Sequence, residues 1–487
     1  MALQSWYEQA ITVQLLDYKT LFLCLLFVLP LVILLLKHLL IKSEKLNLPP
    51  SSPKLPIIGN LHQLGTLPHR TLRALSHKYG PLMLLHLGSS STLVVSSTDI
   101  ASEMVKTRDI VFSNRPKITA ANIFLYGCRD IGEEEVEILL NKIRLSCFDG
   151  SIVDLTVMLQ VVVNNVVARC VLGRKGEVEN GPGKFGVLSR RVMILMTAFC
   201  FGDVFPSLAW LDVVTGYIGR INTTFKEIDA LLDQVIEEHR TSNGDDVDDQ
   251  FDKKDFVHIL LQLEKDGMLE IDLTQTDIKA ILMDMFVGGT DTTSTTLEWV
   301  MAELVRHPNI MKKAQEEVRS VMKNKLKRDM NDMNEMDYLK CVIKETLRLH
   351  APVPLLVPRE TSTITKLGGY DVPEKTRVFV NAWAIQRNPK LWDRPEEFIP
   401  ERYVNNPVDY KGLDFHLIPF GAGRRGCPGI SFGVATVEYT LANILYWFDW
   451  NLPGGAIDHD KLDMTEVYGL TVPKKFPFRL VPTLYSP

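Results

Sequence analysis

Cysteine is scarce, a strong excess of either charge is missing, and no internal repeat is found. The 487 residues include seven cysteines, at positions 24, 128, 147, 170, 200, 341 and 427. The number is odd and no two form a CxxC pair, which argues against a disulfide framework or a zinc ribbon and for a reducing compartment. Lys plus Arg is 54 and Asp plus Glu is 59, a formal charge of −5. That mild acidity argues against nucleic acid as the main partner. With 23% charged and 46% hydrophobic residues, a disordered or collagen-like chain is ruled out. At roughly 100–200 residues per domain, the length allows several domains or one large domain with a deep core.

One long apolar run is present. From Leu21 to Leu36 (LFLCLLFVLPLVILLL) there is no charge over 16 residues. Extension to Ile41 gives 21 residues, within the roughly 17–25 of a spanning helix. Lys37 and His38 can snorkel to the interface, and a membrane helix tolerates Pro30. A secretory signal peptide needs a basic leader and a small-residue cleavage site. Here Glu8, Asp17 and Lys19 precede the run and no such site follows. Lys37, Lys42 and Lys45 follow it, so the positive-inside rule puts the C-terminal bulk in the cytosol. The sequon Asn222-Thr223-Thr224 would then stay unmodified. The expected organisation is a lumenal terminus over 1–20, one transmembrane anchor over 21–41, a connector over 42–60 and a functional domain over 61–487. Pro49, Pro50, Pro53 and Pro56 cannot continue a helix and favour a stiff, extended connector.

The remainder reads as mostly helical. Residues 82 to 97 are an exception, with two apolar runs around a Gly/Ser turn that predict a hairpin. Helical periodicity is clear in Asp277–Val305, Asn309–Met322, Met336–Leu349 and Ser431–Trp447. Residues 241 to 255 read as a charged, solvated loop.

The strongest chemical signal is PFGAGRRGCPG, residues 419 to 429. Gly421, Gly423 and Gly426 let the backbone bend tightly and approach a flat ligand. Pro428 suits the first turn of a helix, so Cys427 is expected near a helix N-terminus. The helix dipole with Arg424 and Arg425 would favour a thiolate there. A lone cysteine is usually a small buried hydrophobe, but in this loop it reads as a metal ligand. One such cysteine is too few for zinc and fits an axial thiolate on haem iron.

A second signal is DMFVGGTDTTSTTLEW, residues 284 to 299. Gly288 and Gly289 interrupt a helical pattern, each at a cost of about 1 kcal/mol against Ala. The hydroxyls that follow can bond back to the preceding turn and bend or widen the helix. Asp291 beside Thr292 could relay protons to a bound oxygen species; a merely polar helix is the plainer alternative. The third signal, Glu345-Thr-Leu-Arg348, puts opposite charges on one helix face. Glu237…Arg240, Glu303…Arg306 and Glu316…Arg319 share that spacing and are expected to be exposed pairs worth under ~1 kcal/mol. Arg402, in PEEFIPERY, is a candidate third partner for Glu345, and such a buried cluster would need full pairing.

Taken together, GGTDTT, ETLR, PERY and FGAGRRGCPG, in that order and spacing, resemble the cytochrome P-450 superfamily of haem-thiolate monooxygenases. The apolar run, the prolines and NAWAIQRNPKLW look like a plant microsomal (A-type) member. The resemblance covers nearly the whole chain. It implies a mainly α fold with a small β-rich lobe, carrying haem b. In that pattern Cys427 is the axial thiolate and Phe420 packs on its side of the haem. Gly423 and Gly429 belong to the same loop, Arg425 and Arg359 hold propionates, and Asp291 and Thr292 deliver protons. Glu345, Arg348 and Arg402 form the cluster behind the haem. Ala351–Val357 and Tyr468–Val472 help line the pocket. The partners implied are an NADPH-dependent cytochrome reductase, with cytochrome b5 as a further candidate, a small lipophilic substrate and the lipid of the endoplasmic reticulum.

One departure stands out. The family carries a helix with a Trp-Arg or Trp-x-x-x-Arg pattern, expected after LYGCRDIG, residues 125 to 132. Here EEEVEILLNKI follows at once, there is no tryptophan between Trp6 and Trp210, and no Trp-Arg dipeptide occurs. A segment of roughly 30–40 residues, several helical turns, is missing. The resulting expectation is weak haem retention, and the alternative function is that of an impaired, membrane-tethered pseudoenzyme.

Overall fold

The computed structural model describes residues 46–112, 133–172, 183–241, 255–266, 273–323, 330–455 and 462–486. The expected anchor and the junction at Gly132 lie outside the described residues. The chain divides into two units, Met1–Leu48 and Pro49–Pro487. The second unit therefore begins inside the stretch read above as a connector. Pro49 is buried, and the Pro50 carbonyl accepts from the Leu84 amide at 2.9 Å. Asn60, fully buried, donates to Ser52 Oγ at 3.0 Å and accepts from the His86 amide at 2.9 Å. These contacts bind residues 49–60 to the first hairpin. The prolines lose nothing there, because an extended segment needs few of its own amides.

The predicted hairpin is present as Leu82–Leu87 and Ser90–Val95, turning at Gly88 with φ +62. Arg377–Val380 pairs in parallel with Ser90–Val95 and antiparallel with Arg359–Glu360, which completes a four-stranded sheet. A two-stranded hairpin, Thr365–Leu367 with Tyr370–Val372, lies nearby in sequence. Leu82, Leu84, Leu93 and Val95 share a core with Met104, Phe112, Val378, Ile418 and Ala422. The β-rich lobe thus holds the lead-in to the cysteine loop.

Helices build the rest. The longest, Gln275–Arg306, starts with a capping box in which Thr274 and Asp277 satisfy each other's backbone amides. Its C-terminal half is enclosed: Leu297 and Val300 to Ala302 are fully buried and Trp299 is 1% exposed. The helices Pro308–Met322, Asp337–Leu349 and Ile430–Trp447 match their sequence expectations to within a residue or two. Two described helices have the length and composition to cross a membrane, Leu155–Leu172 and Lys184–Val204. Leu155, Leu159, Val163, Val166 and Val167 of the first are core residues.

The three comparison pairs were expected to be exposed, and tertiary packing redirects them. Arg240 pairs with Glu264 and Arg319 with Asp449. Glu303 is buried, accepting from His350 Nε2 at 2.6 Å, with His307 Nδ1 at 3.3 Å. His350 stacks on Trp299 with ring centroids 4.1 Å apart. Burial pushes the Glu303 carboxyl up, but hydrogen bonds from His307 and His350 outweigh it and bring it to about 2. A folded value below the usual 4.5 gives stability that is present above pH 4.5 and lost as pH falls toward 2. Glu303→Gln should therefore flatten the fall of the urea midpoint across that window. An unchanged slope would show that other carboxylates drive acid unfolding.

Candidate active site

The cysteine loop is a tight turn held at both ends. The Cys427 amide donates to the Phe420 carbonyl at 2.9 Å, and the Gly426 amide to that of Gly423, also at 2.9 Å. Gly421 and Gly423 have φ +70 and +69, a region that side-chain-bearing residues avoid. A Cβ on Gly423 would also stand 2.6 Å from Val105 Cγ1. Phe420 is half-buried and meets Tyr410 edge-on at 5.6 Å.

Cys427 is exposed on this loop, whereas Cys170, Cys200 and Cys341 are buried. The sequence led us to expect a thiol lowered by Arg424 and Arg425. The structure corrects this: the protein packed around the sulfur pushes the thiol up, and the Gly429 backbone hydrogen bond only partly offsets it. Arg424 leans toward Asp109, Nε to Oδ2 at 3.7 Å, with its side chain 70% exposed. The helix starts at Ile430 with Gly429 as its N-cap, so Pro428 precedes it rather than lying in its first turn.

Arg359, at the sheet edge, is 5% exposed. It donates to Asp109 Oδ1 at 3.2 Å and to the Ala422 carbonyl at 2.8 Å. Arg425 is close enough to depress its pKa, after the larger effect of burial. Asp109 also accepts from the Arg424 amide at 3.1 Å. One carboxylate thus joins Arg359 to the cysteine loop, a role that nothing in the sequence marked.

Behind the loop, Glu345 and Arg348 are both fully buried and pair through two bonds of 2.8 Å. Arg402 Nε and the Ile399 amide each reach Glu345 Oε1 at 2.9 Å. The remaining Arg348 donors go to the carbonyls of Gln386, Pro395 and Glu397. Gln386 accepts from the Ile418 amide at 2.9 Å and donates to the carbonyls of Leu347 and Arg348. The cluster therefore acts as a scaffold for the loop. Gln386 lies within NAWAIQRNPKLW but was not singled out by sequence.

The long helix runs beside the loop's helix: a Cβ on Gly289 would lie 3.8 Å from Phe432 Cε1, and one on Gly433 3.7 Å from Thr293 Oγ1. The hydroxyls do bond backward, Thr290 to Phe286, Thr292 to Gly288 and Thr296 to Thr292, at 2.6, 2.7 and 2.8 Å. The helix nevertheless stays continuous from Gln275 to Arg306. Gly288 is exposed, with open space where a Cβ would stand, and the Thr292 hydroxyl lies on the same side. Asp291 instead lines a cavity of about 260 Å³ with Gln160, Asn164, Arg190 and Thr290. Burial pushes its carboxyl up, partly countered by Arg190. Consecutive residues project about 100° apart on a helix, so the acid and the hydroxyl serve two faces.

The two stretches expected to line a pocket are joined by Val472, whose amide donates to the Pro352 carbonyl at 2.9 Å. The Val472 carbonyl accepts from Trp299 Nε1 at 2.9 Å. Val357 and Tyr468 are exposed, and Leu356 adopts φ +52, a strained conformation of the kind that collects at functional sites.

These residues fit a haem. Among the described cysteines the one exposed sulfur, with a backbone donor, stands on a glycine-bent loop; Arg359 donates to that loop, and Gly288 leaves an open face on the long helix. The comparisons agree. The cytochrome P-450 family profile matches residues 49–132 and 119–478, and the chain belongs to that family of haem-thiolate monooxygenases. It is 49% identical over 481 residues to a phenylacetaldehyde oxime monooxygenase of Prunus mume, covering 92% of this chain and 91% of that one. It is 45% identical over 472 residues to desmethylyatein synthase of Sinopodophyllum hexandrum, covering 90% and 94%. It is 42% identical over 476 residues to costunolide synthase of Cichorium intybus, covering 91% and 94%.

Proposed function

We propose that the chain oxygenates a small lipophilic metabolite of plant specialised metabolism, with electrons from an NADPH-dependent reductase and cytochrome b5 as a second donor. Residues 21–41 anchor it in the endoplasmic reticulum membrane, with residues 61–487 as a catalytic domain on the cytosolic side. The single observation that carries the reading is the exposed Cys427 on its glycine-bent loop. When bound, haem supplies oxygen activation, favoured by electron donation from a thiolate ligand.

The chain's own residues provide the rest. Cys427 is the ligand, and Phe420, Gly423 and Gly429 shape its loop. Arg359 and Arg425 would hold the propionates. The Thr292 hydroxyl presents an oxygen on the open helix face. Asp291, its carboxyl raised by burial, relays protons beside the cavity that Arg190 also lines. Ala351–Val357 and Tyr468–Val472 exclude water from an apolar substrate. Asp291→Asn is expected to lower product formation about 10²–10⁴-fold. The reduced carbon-monoxide spectrum should stay unchanged, and full activity would remove Asp291 from proton delivery.

We also propose that a segment is missing after Gly132 and that haem is held weakly as a result. The two stretches of the family match meet at residues 119–132, which supports this reading. So does the Prunus mume alignment: its 481 positions exceed the covered 92% of this chain by roughly thirty. Restoring the segment from that relative should raise haem bound per chain. Equal haem contents would refute the proposal, and a restored chain that alone forms product would favour the pseudoenzyme reading for this one.

A further inference from the structure

Away from the cysteine loop, three potential ligands converge between two of the described helices. His239 lies in the last turn of Tyr217–Thr241, and Asp255 and His258 lie at the start of Phe256–Asp266. Their ligand atoms all lie within 4.8 Å of one another. Asp255 Oδ2 is 3.0 Å from His239 Nε2 and 2.9 Å from His258 Nδ1.

We propose that His239, Asp255 and His258 bind one divalent transition-metal ion of the zinc class. The supporting contacts orient each ligand. His239 Nδ1 donates to the Val235 carbonyl at 2.7 Å, which leaves Nε2 as the atom aimed at Asp255. A backbone hydrogen bond to the second ring nitrogen is how metal-ligating histidines are usually held. Asp255 Oδ1 accepts from the His258 amide at 3.0 Å, so Oδ2, which faces both imidazoles, is the oxygen that would meet an ion. The two rings sit with centroids 4.7 Å apart.

Zinc bonds of about 2.0–2.2 Å in a tetrahedron put ligand atoms about 3.3 Å apart. The two contacts to Asp255 need to open by a few tenths of an ångström, while the two ring nitrogens, within 4.8 Å of each other, need to draw together. An ion there would replace the hydrogen bonds that Asp255 Oδ2 takes from His239 Nε2 and His258 Nδ1. Two imidazoles select zinc, nickel, cobalt or copper over magnesium and calcium, which prefer oxygen ligands. His239 and Asp255 side chains are each 10% exposed and His258 32%, so the fourth position opens to solvent beside His258. The ion would staple the end of one helix to the start of the next.

The plain alternative is a hydrogen-bonded helix cap without metal. The test uses the detergent-solubilised full chain, stripped with a chelator and dialysed against Zn²⁺, with bound metal counted by atomic emission. Co²⁺ serves as a spectroscopic probe that separates nitrogen and oxygen ligands from thiolates. The expected result is one Zn²⁺ per chain and a nitrogen–oxygen Co²⁺ spectrum. His258→Ala should weaken binding at least tenfold, and Asp255→Asn, which still caps the helix, should do the same with an unchanged circular dichroism spectrum. Retention of the same metal by the doubly substituted chain would overturn the proposal in favour of binding at cysteines. Failure of the unaltered chain to retain Zn²⁺ would leave only the cap.

Discussion

Cys427→Ala is expected to abolish the thiolate-type Soret band of the reduced, carbon-monoxide-treated chain in microsomes, and with it all product formation. The physical reason is access. Among the described cysteines, Cys170, Cys200 and Cys341 are buried, Cys147 is half-buried and only Cys427 is exposed. Although the residue is exposed, the protein packed around its sulfur raises the Cys427 thiol, and a metal ion that takes the sulfur as ligand displaces its proton. Metal binding and thiol ionisation are then one event. Retention of the band by the alanine variant would move the ligand to another cysteine and sink the site as drawn.

Arg348→Ala should cost about 3–5 kcal/mol, because it leaves the fully buried Glu345 short of its bidentate partner. Folding stability is only about 5–15 kcal/mol, so most of the chain should fail to accumulate in folded form. Three backbone carbonyls, those of Gln386, Pro395 and Glu397, also lose their donors. Arg348→Lys should rescue little, since an ammonium cannot span Glu345 and three carbonyls at once. The measurement is the urea midpoint of the solubilised chain beside that of the unaltered one. A shift no larger than that of an exposed pair, under ~1 kcal/mol, would show that Glu345 is adequately held by Arg402 and the Ile399 amide.

Much of this was legible in the chain itself. Periodicity located the helices Gln275–Arg306, Pro308–Met322, Asp337–Leu349 and Ile430–Trp447, because a helix is set by residues three and four apart. The Gly/Ser turn located the hairpin, and three glycines around one cysteine located the loop. Glu345, Arg348 and Arg402 were singled out correctly as a group.

Tertiary structure decided what spacing alone could not. Glu303…Arg306 and Glu345…Arg348 look alike in sequence, yet Glu303 turns to His350 and His307 while Glu345 keeps its arginine. Which partner wins depends on what the core brings within reach. Asp109 meets Arg359 across 250 residues, and Gln386 meets Ile418 across 32; no local pattern marks either. Asp291 and Thr292 are neighbours in the chain but face a cavity and an open helix side, respectively, because helix geometry turns them apart. The sequence by itself determined the local elements and the type of chemistry. Only packing determined which charges are buried, which carboxyl can hold a proton, and how Cys427 is braced, because those depend on desolvation and long-range hydrogen bonds.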